Sequence, residues 1–212
     1  MSYFKLFQRF QEQTTEKIEI LDYKKGEIVI QQDGKPEYVY ILLVGGIKVY
    51  HSNSKGQNFL FGIFEKDEIF GELEVQVQTP FFNSVCCIRD SKVARITHTT
   101  YKNWLKSDPE FALYVNKKLC TKIANSSWRM VEYNFFPLEY HVLKYLVDAS
   151  DNLEALEFLF NKQDMTHYLG SNPRSINRIL KQFSDEGMIE GNKNRMIILD
   201  KEMIRKRILS YL

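Results

Sequence analysis

Three observations on the 212-residue sequence predict an α+β fold with a β-rich N-terminal part, one long helix and a helix-rich C-terminal part. Short apolar runs separated by turn residues crowd residues 18–98. From Asp108-Pro109 to Tyr133 the chain carries no glycine or further proline. Residues 161–199 then hold two short helical patterns joined at Gly170, followed by a hairpin pattern.

The N-terminal runs are Ile18-Glu-Ile-Leu, Ile28-Val-Ile, Val39-Tyr-Ile-Leu-Leu-Val, Ile47-Lys-Val-Tyr, Phe59-Leu-Phe-Gly-Ile-Phe and Val93-Ala-Arg-Ile, all rich in β-branched and aromatic residues. Lys25-Gly26, Asp33-Gly34, Gly45-Gly46, Lys55-Gly56 and Lys66-Asp67 punctuate them as turns. Many short strands at even spacing predict a sandwich, barrel or roll, with no helix of useful length among them and a short leading helix within residues 1–17.

At Ser107-Asp108-Pro109-Glu110 the pattern changes. Asp108 suits an N-cap, Pro109 the first helical position, and Glu110 the positive end of the helix dipole. A helix of roughly 25 residues, about 37 Å long, is expected. Leu119, Ile123, Ser126, Met130 and Tyr133 recur at spacings of three and four on one stripe. That stripe fits a parallel dimer seam, centred on Leu119, Ile123 and Met130, or a helix that flanks a domain; its length favours the seam. Pro137 marks a boundary, so the expected division is 1–107, 108–136 and 137–212. Leu138, Val142, Leu143, Leu146 and Val147 mark a further amphipathic helix, and Leu156-Glu-Phe-Leu-Phe160 a short strand.

Asn161 starts the next helix as its cap, with Asp164 at the third position, and Gly170 ends it in a left-handed turn. Asn172 caps a second helix with Pro173 at its first position. Ile176, Ile179, Leu180 and Phe183 give that helix one apolar face, and Arg174, Ser175, Asn177, Arg178 and Lys181 fall on or beside the other. Two short helices at a tight turn, the second basic and amide-rich outward, are what a reader of the DNA major groove requires. Arginine bridges two acceptors on guanine, asparagine pairs with adenine, and serine serves bases or phosphates. Gly187-Met-Ile-Glu-Gly191, Asn192-Lys-Asn-Arg195 and Met196-Ile-Ile-Leu199 then form a hairpin whose Lys193 and Arg195 would touch phosphate.

Bulk properties agree with a soluble globular protein. Hydrophobic residues make up 44% and charged residues 26%, as in a globular protein. No apolar run approaches the roughly 18 residues of a membrane span, and the first residues, with Lys5, Arg9 and Glu12, lack the apolar core of a secretory signal, so no membrane and a cytoplasmic location are expected. The net charge is only +2, but residues 161–212 hold ten Lys/Arg against six Asp/Glu, which places any phosphate partner there. Three cysteines and four scattered histidines offer neither a disulfide framework nor a metal set. No nucleophile–base pair or phosphate loop speaks for an enzyme.

KQDMTHYLGSNPRSINRILKQF resembles the helix-turn-helix of the cyclic-AMP receptor protein/fumarate–nitrate regulator family of bacterial transcription regulators. DEIFGELEVQVQTPFFNSV is similar to that family's phosphate-binding cassette. Gly45, Gly71-Glu72-Leu73, Gly170 and Arg178-Ile179-Leu180 stand where the family pattern places them, and the resemblance runs over nearly the whole chain. It implies a cyclic-nucleotide-binding-like β-roll (a double-stranded jelly roll), a long dimerisation helix, and a winged helix-turn-helix. It also implies a homodimer on a near-palindromic double-stranded operator, with RNA polymerase as a possible further partner.

The departures from the pattern bear on the effector. The family's cyclic-nucleotide binders follow the Gly-Glu pair with an arginine that neutralises the cyclic phosphate. Here Phe81-Phe82-Asn83-Ser84 occupies that stretch, with no arginine before Arg89. The resemblance leaves Gly71, Glu72, Leu73, Asn83, Ser84, Ser126 and Ser127 as a degenerate effector pocket, with Glu72 able to hold a ribose hydroxyl and the serines where the long helix meets the base. No cofactor is expected, and cyclic nucleotide is disfavoured. Asp33 and Asp67 replace two turn glycines of the pattern. Two other readings stand beside the first: a cyclic-nucleotide-binding signalling module, and a redox sensor built on Cys86-Cys87 and coupled to DNA binding. In a strand those two cysteines point to opposite faces, so at least one belongs to a core. Phe81-Phe82 could fill the pocket or face a partner such as polymerase.

Overall fold

A computed structural model describes residues 5, 7–10, 18–65, 68–150, 153–191 and 194–212. The chain divides into two compact units, Met1–Ile123 and Ala124–Leu212, and the division falls inside the long helix.

Among the described residues the first unit is a roll of six strands, β1 Glu19–Tyr23, β2 Ile28–Ile30, β3 Tyr38–Ser52, β4 Asn58–Phe64, β5 Glu68–Phe70 and β6 Ser84–Thr97. The path runs β1-β6-β3-β4, all antiparallel, with β2 paired to β6 and β5 to β3. Two expectations are corrected here. Gly45-Gly46 does not end a strand, because β3 runs through it for 15 residues and absorbs it as a register shift against β6. Two helices do interrupt or follow the strands: α1 Glu72–Val77 and α2 His98–Ser107. The latter is started by Thr97, whose side chain accepts from the Thr100 N–H at 3.1 Å.

The long helix α3, Pro109–Phe135, has 27 residues and begins as its sequence predicts. Asp108 Oδ1 accepts from the Glu110 and Phe111 N–H groups, both at 3.1 Å. Its first turns pack on the roll: Trp104 stacks on Phe111 at 3.5 Å and on Phe10 at 4.2 Å, in a core with Phe7, Ile41, Ile69, Ile96 and Val115. Phe7 and Phe10 lie in the helical residues 7–10 of the expected leading helix; most of the rest of 1–17, like Lys66-Asp67, lies outside the described residues.

The second unit holds α4 Leu138–Ala149, β7 Glu157–Leu159, α5 Lys162–Leu169, α6 Pro173–Asp185, β8 Ile189–Gly191, β9 Arg195–Ile198 and α7 Lys201–Leu209. The hairpin β8–β9 is extended to three strands by β7, in the order β7-β9-β8. The apolar faces of the helices close one core around Leu143, Met165, Ile176, Phe183, Met188 and Ile204. The last helix is capped by Asp200, whose Oδ1 accepts from the Met203 N–H at 2.9 Å.

Candidate nucleic-acid interface and sensor cassette

The two helices of the turn motif are set by caps made from their own side chains. Asn161 Oδ1 accepts from Gln163 N at 2.8 Å and Asp164 N at 3.4 Å, so α5 starts where the sequence predicts. Gly170 ends it at φ 57, in the left-handed region a glycine enters without strain. One residue beyond Ser171, Asn172 Oδ1 accepts from Arg174 N at 2.8 Å, and Pro173 takes the first position of α6.

This geometry sorts the outer face of α6. Ile176, Ile179, Leu180 and Phe183 are buried, and Arg174, Asn177, Arg178 and Lys181 are exposed, with Ser175 half-buried at the base of the face. Among the described residues no side chain of Arg174, Arg178 or Lys181 has a hydrogen-bond or ion-pair partner. Three cations and an amide stand on one face with their donors unspent, an arrangement suited to phosphates and base edges. In the wing, Arg195 lies in β9 rather than at the tip and bridges Glu157 of β7 at 2.7 Å. Lys193 lies outside the described residues.

In the roll, Gly71 caps α1 at φ 82, and a Cβ there would meet Phe81 Cε1 and the Tyr38 carbonyl oxygen, each at 3.0 Å. Glu72 is buried and faces inward, Leu73 is exposed, and Ser84 is buried with its Oγ accepting from Gln32 N at 3.0 Å. Asn83 is half-buried, and its Oδ1 is shut from solvent without a hydrogen-bond partner among the described residues. Phe81 packs in the roll core while Phe82 stays exposed, so the first fills the fold and the second does not. Arg89 is committed elsewhere: it donates to the Gly45 carbonyl at 2.9 Å and reaches Glu65 at 3.3 Å. Ser126 and Ser127 are exposed on α3 beyond Ile123.

Residues 20–108 match the model of the cyclic nucleotide-binding domain, and residues 141–207 match that of the Crp-like helix-turn-helix domain. The chain belongs to the Crp/Fnr family of transcription regulators. Among Crp/Fnr relatives, a CRP-like cAMP-activated global transcriptional regulator of Mycobacterium tuberculosis is 18% identical over 200 residues, covering 91% of this chain and 89% of that protein. The cAMP-activated global transcriptional regulator CRP of Salmonella typhimurium is 17% identical, covering 83% of this chain and 87% of that one. Among solved structures, a Crp/Fnr-family regulator from Eubacterium rectale superposes with a TM-score of 0.76 at 17% identity, covering 91% and 90% of the two chains. The c-di-GMP responsive regulator CLP of Xanthomonas campestris gives 0.79 at 14% identity, covering 92% and 99%. Like its Crp/Fnr relatives, the chain is a DNA-binding transcription regulator with a cyclic-nucleotide-binding-like domain.

Within that Crp/Fnr frame the structure adds residues that the motifs did not supply. Lys122 of α3 places its ammonium 2.8 Å from Glu72 Oε1 and 3.1 Å from Glu68 Oε1. Burial pushes the Glu72 carboxyl up, and Lys122 opposes that rise. The signal was present as two i,i+4 pairs of opposite sign, Glu68/Glu72 and Lys118/Lys122, but nothing local joins them. Cys86 and Cys87 are both buried, and burial pushes the Cys87 thiol up, the opposite of what a reactive thiolate needs. Asp33 takes φ 64, so this turn keeps its left-handed residue without a glycine. Among the described residues no helix is long and apolar enough to cross a membrane.

Proposed function

We propose that this regulator acts in the cytoplasm as a homodimer, reads a near-palindromic operator with Arg174, Ser175, Asn177, Arg178 and Lys181, and holds no cyclic nucleotide in its roll. The observation that carries the reading is the outer face of α6, exposed along Arg174, Asn177, Arg178 and Lys181, whose side chains find no partner among the described residues. A helix whose cations are spent on neighbouring carboxylates could not offer them to DNA; this one can. The division of labour follows the chain: residues 1–107 form the sensor, 108–136 the dimer helix and 137–212 the reader.

The dimer helix is supported by an exposed apolar row. Leu113, Ile123 and Met130 are 72%, 65% and 63% exposed, and from Cys120 through Ile123 and Ser127 to Met130 the row follows the alternating three- and four-residue spacing of a seam, with Leu113 one heptad before Cys120. Leu119 of the original stripe is only partly exposed and packs against the roll core. A two-fold along this row would set the paired readers about 34 Å apart, one turn of DNA.

The effector reading rests on charge. A cyclic phosphate buried beside Asn83 would gain hydrogen bonds but no counter-charge, and an unpaired buried charge is expensive. Arg89, the nearest arginine in sequence, already serves Gly45 and Glu65.

In vitro selection of operator sequences on the purified protein tests the function. A near-palindrome is expected, and the Arg174→Ala/Arg178→Ala double variant should lose that preference while keeping its fold. A folded double variant with unchanged sequence preference would overturn the assignment of α6. Calorimetry with cyclic AMP and cyclic GMP tests the roll, where micromolar binding of either would overturn the effector reading.

A further inference from the structure

Two acids of the roll, Glu68 and Glu72, stand on either side of the Gly71 turn and are only 7% and 3% exposed. The cation that meets them comes from the long helix. Lys122 Nζ lies 2.8 Å from Glu72 Oε1, 3.1 Å from Glu68 Oε1 and 2.8 Å from the Ile69 carbonyl oxygen. It also sits 5.6 Å from the centroid of the Phe70 ring. An ammonium has three donors, and here each has an oxygen. One helical turn earlier, Lys118 reaches the other oxygen of Glu68 at 3.5 Å.

We propose that Lys122 is the resident cation of the cassette: the ammonium of the protein's own helix, in place of a diffusing effector, satisfies Glu68 and Glu72 and latches α3 to the roll. This rests on the reading that the roll takes no cyclic nucleotide, and it names what stands there instead. Burial works to lower the Lys122 ammonium, but the two carboxylates override it and raise it, so the latch stays charged.

Two consequences follow from the geometry. A ligand hydroxyl that seeks Glu72 Oε1 must compete with the Lys122 ammonium for it, and taking it would leave that ammonium only Glu68 and the Ile69 carbonyl. Lys122 thereby sets the specificity of the pocket. With two buried carboxylates facing it, the place selects an ammonium and refuses an anion. Coupling between the roll and the long helix then needs no small molecule, since the bridging cation is a side chain of the helix itself.

Hydrogen exchange read by mass spectrometry on the full chain tests this. Lys122→Ala removes the side chain beyond Cβ, leaving room for propylammonium. Exchange at residues 68–77 and 111–123 should accelerate about tenfold or more, with 138–212 unchanged. Millimolar propylammonium should restore protection to the variant, and propan-1-ol, of the same shape without charge, should not. Cyclic AMP should protect neither protein. Exchange in Lys122→Ala equal to wild type, while wild type still ignores cyclic AMP, overturns the latch and leaves the effector reading standing. Equal rescue by propan-1-ol overturns it too, because packing of the stem would then be the whole effect. Protection of the wild-type cassette by cyclic AMP overturns both. Should Lys122→Ala fail to fold, Lys122→Met keeps the stem without the charge: the same acceleration is expected, and unchanged exchange overturns the latch.

Discussion

The His141 imidazole of α4 stacks on the Tyr133 ring of α3, with centroids 4.4 Å apart and planes 16° from parallel. This contact lies across Phe136-Pro137, where the long helix ends and the reading unit's first helix begins. His141 is 6% exposed, and its Nε2 is shut from solvent without a hydrogen-bond partner among the described residues. Burial depresses its pKa below the ordinary 6.5, helped by Lys144 and opposed by Glu132 and by backbone carbonyls of Phe136 and Glu132. The unfolded chain therefore binds this proton at a higher pH than the folded one. Stability from His141 is fully present above 6.5 and is lost as pH falls through its depressed folded value. The expected slope is at most about 1.4 kcal/mol per pH unit. Urea titrations of wild type and His141→Gln at several pH values check it, and an equal slope in the variant would assign the effect to other groups.

DNA affinity should separate by contact type. Arg174→Ala and Arg178→Ala are each expected to cost about 1–3 kcal/mol on the selected operator and less on random DNA. Lys193→Ala should weaken binding to all sequences alike and reduce the salt slope by about one. Arg195→Ala should do less than Lys193→Ala, because its guanidinium is already bridged to Glu157. Fluorescence anisotropy across a salt series measures all four. An Arg195 effect larger than that of Lys193 would mean that the bridge opens on DNA.

The exposed row on the long helix makes a sharp claim about assembly. Ile123→Asp with Met130→Asp would place like charges across a two-fold seam, at positions where both side chains face solvent in the single chain. The folded monomer should therefore tolerate the change while the dimer does not. Sedimentation velocity should show a monomer with an unchanged circular dichroism spectrum. A double variant that remains dimeric places the interface elsewhere.

What the sequence discloses divides by the range of the interaction. Asn161, Asn172 and Asp108 each hydrogen-bond to backbone two or three residues away, so the starts of α5, α6 and α3 are written locally and were legible. The helix α2 was missed because its first turn holds Thr99 and Thr100, weak helix formers that follow directly on a strand ending in the β-branched Ile96 and Thr97. Lys122 and Glu72 lie fifty residues apart, and no spacing rule connects them before the roll is folded. The apolar stripe on α3 was visible, but not that Leu119 faces the roll while Leu113 and Ile123 face away, since the roll alone decides which side of the helix is covered.

Gly45 makes the most demanding prediction, because its contact includes backbone as well as side chain. It lies within β3 at φ 110, and a Cβ built there would stand 2.2 Å from Ser91 Oγ and 2.6 Å from Ser91 Cα. Ser91 is buried in β6, and its hydroxyl accepts from Gly46 N at 3.1 Å and donates to the Arg89 carbonyl at 2.8 Å. The two long strands thus cross the register shift at their closest approach, where only a glycine fits. Gly45→Ala incurs backbone strain of about 1–3 kcal/mol and, because the neighbouring strand must move, an overpacking cost of about 1–3 kcal/mol more. The urea midpoint should fall accordingly at constant slope. Adding Ser91→Ala should not rescue the variant: it removes the hydroxyl at 2.2 Å but leaves the Cα at 2.6 Å, and forfeits both hydrogen bonds. Rescue by Ser91→Ala would show that the hydroxyl alone makes the contact, and a Gly45→Ala protein within about 0.5 kcal/mol of wild type would show that the strands can part there.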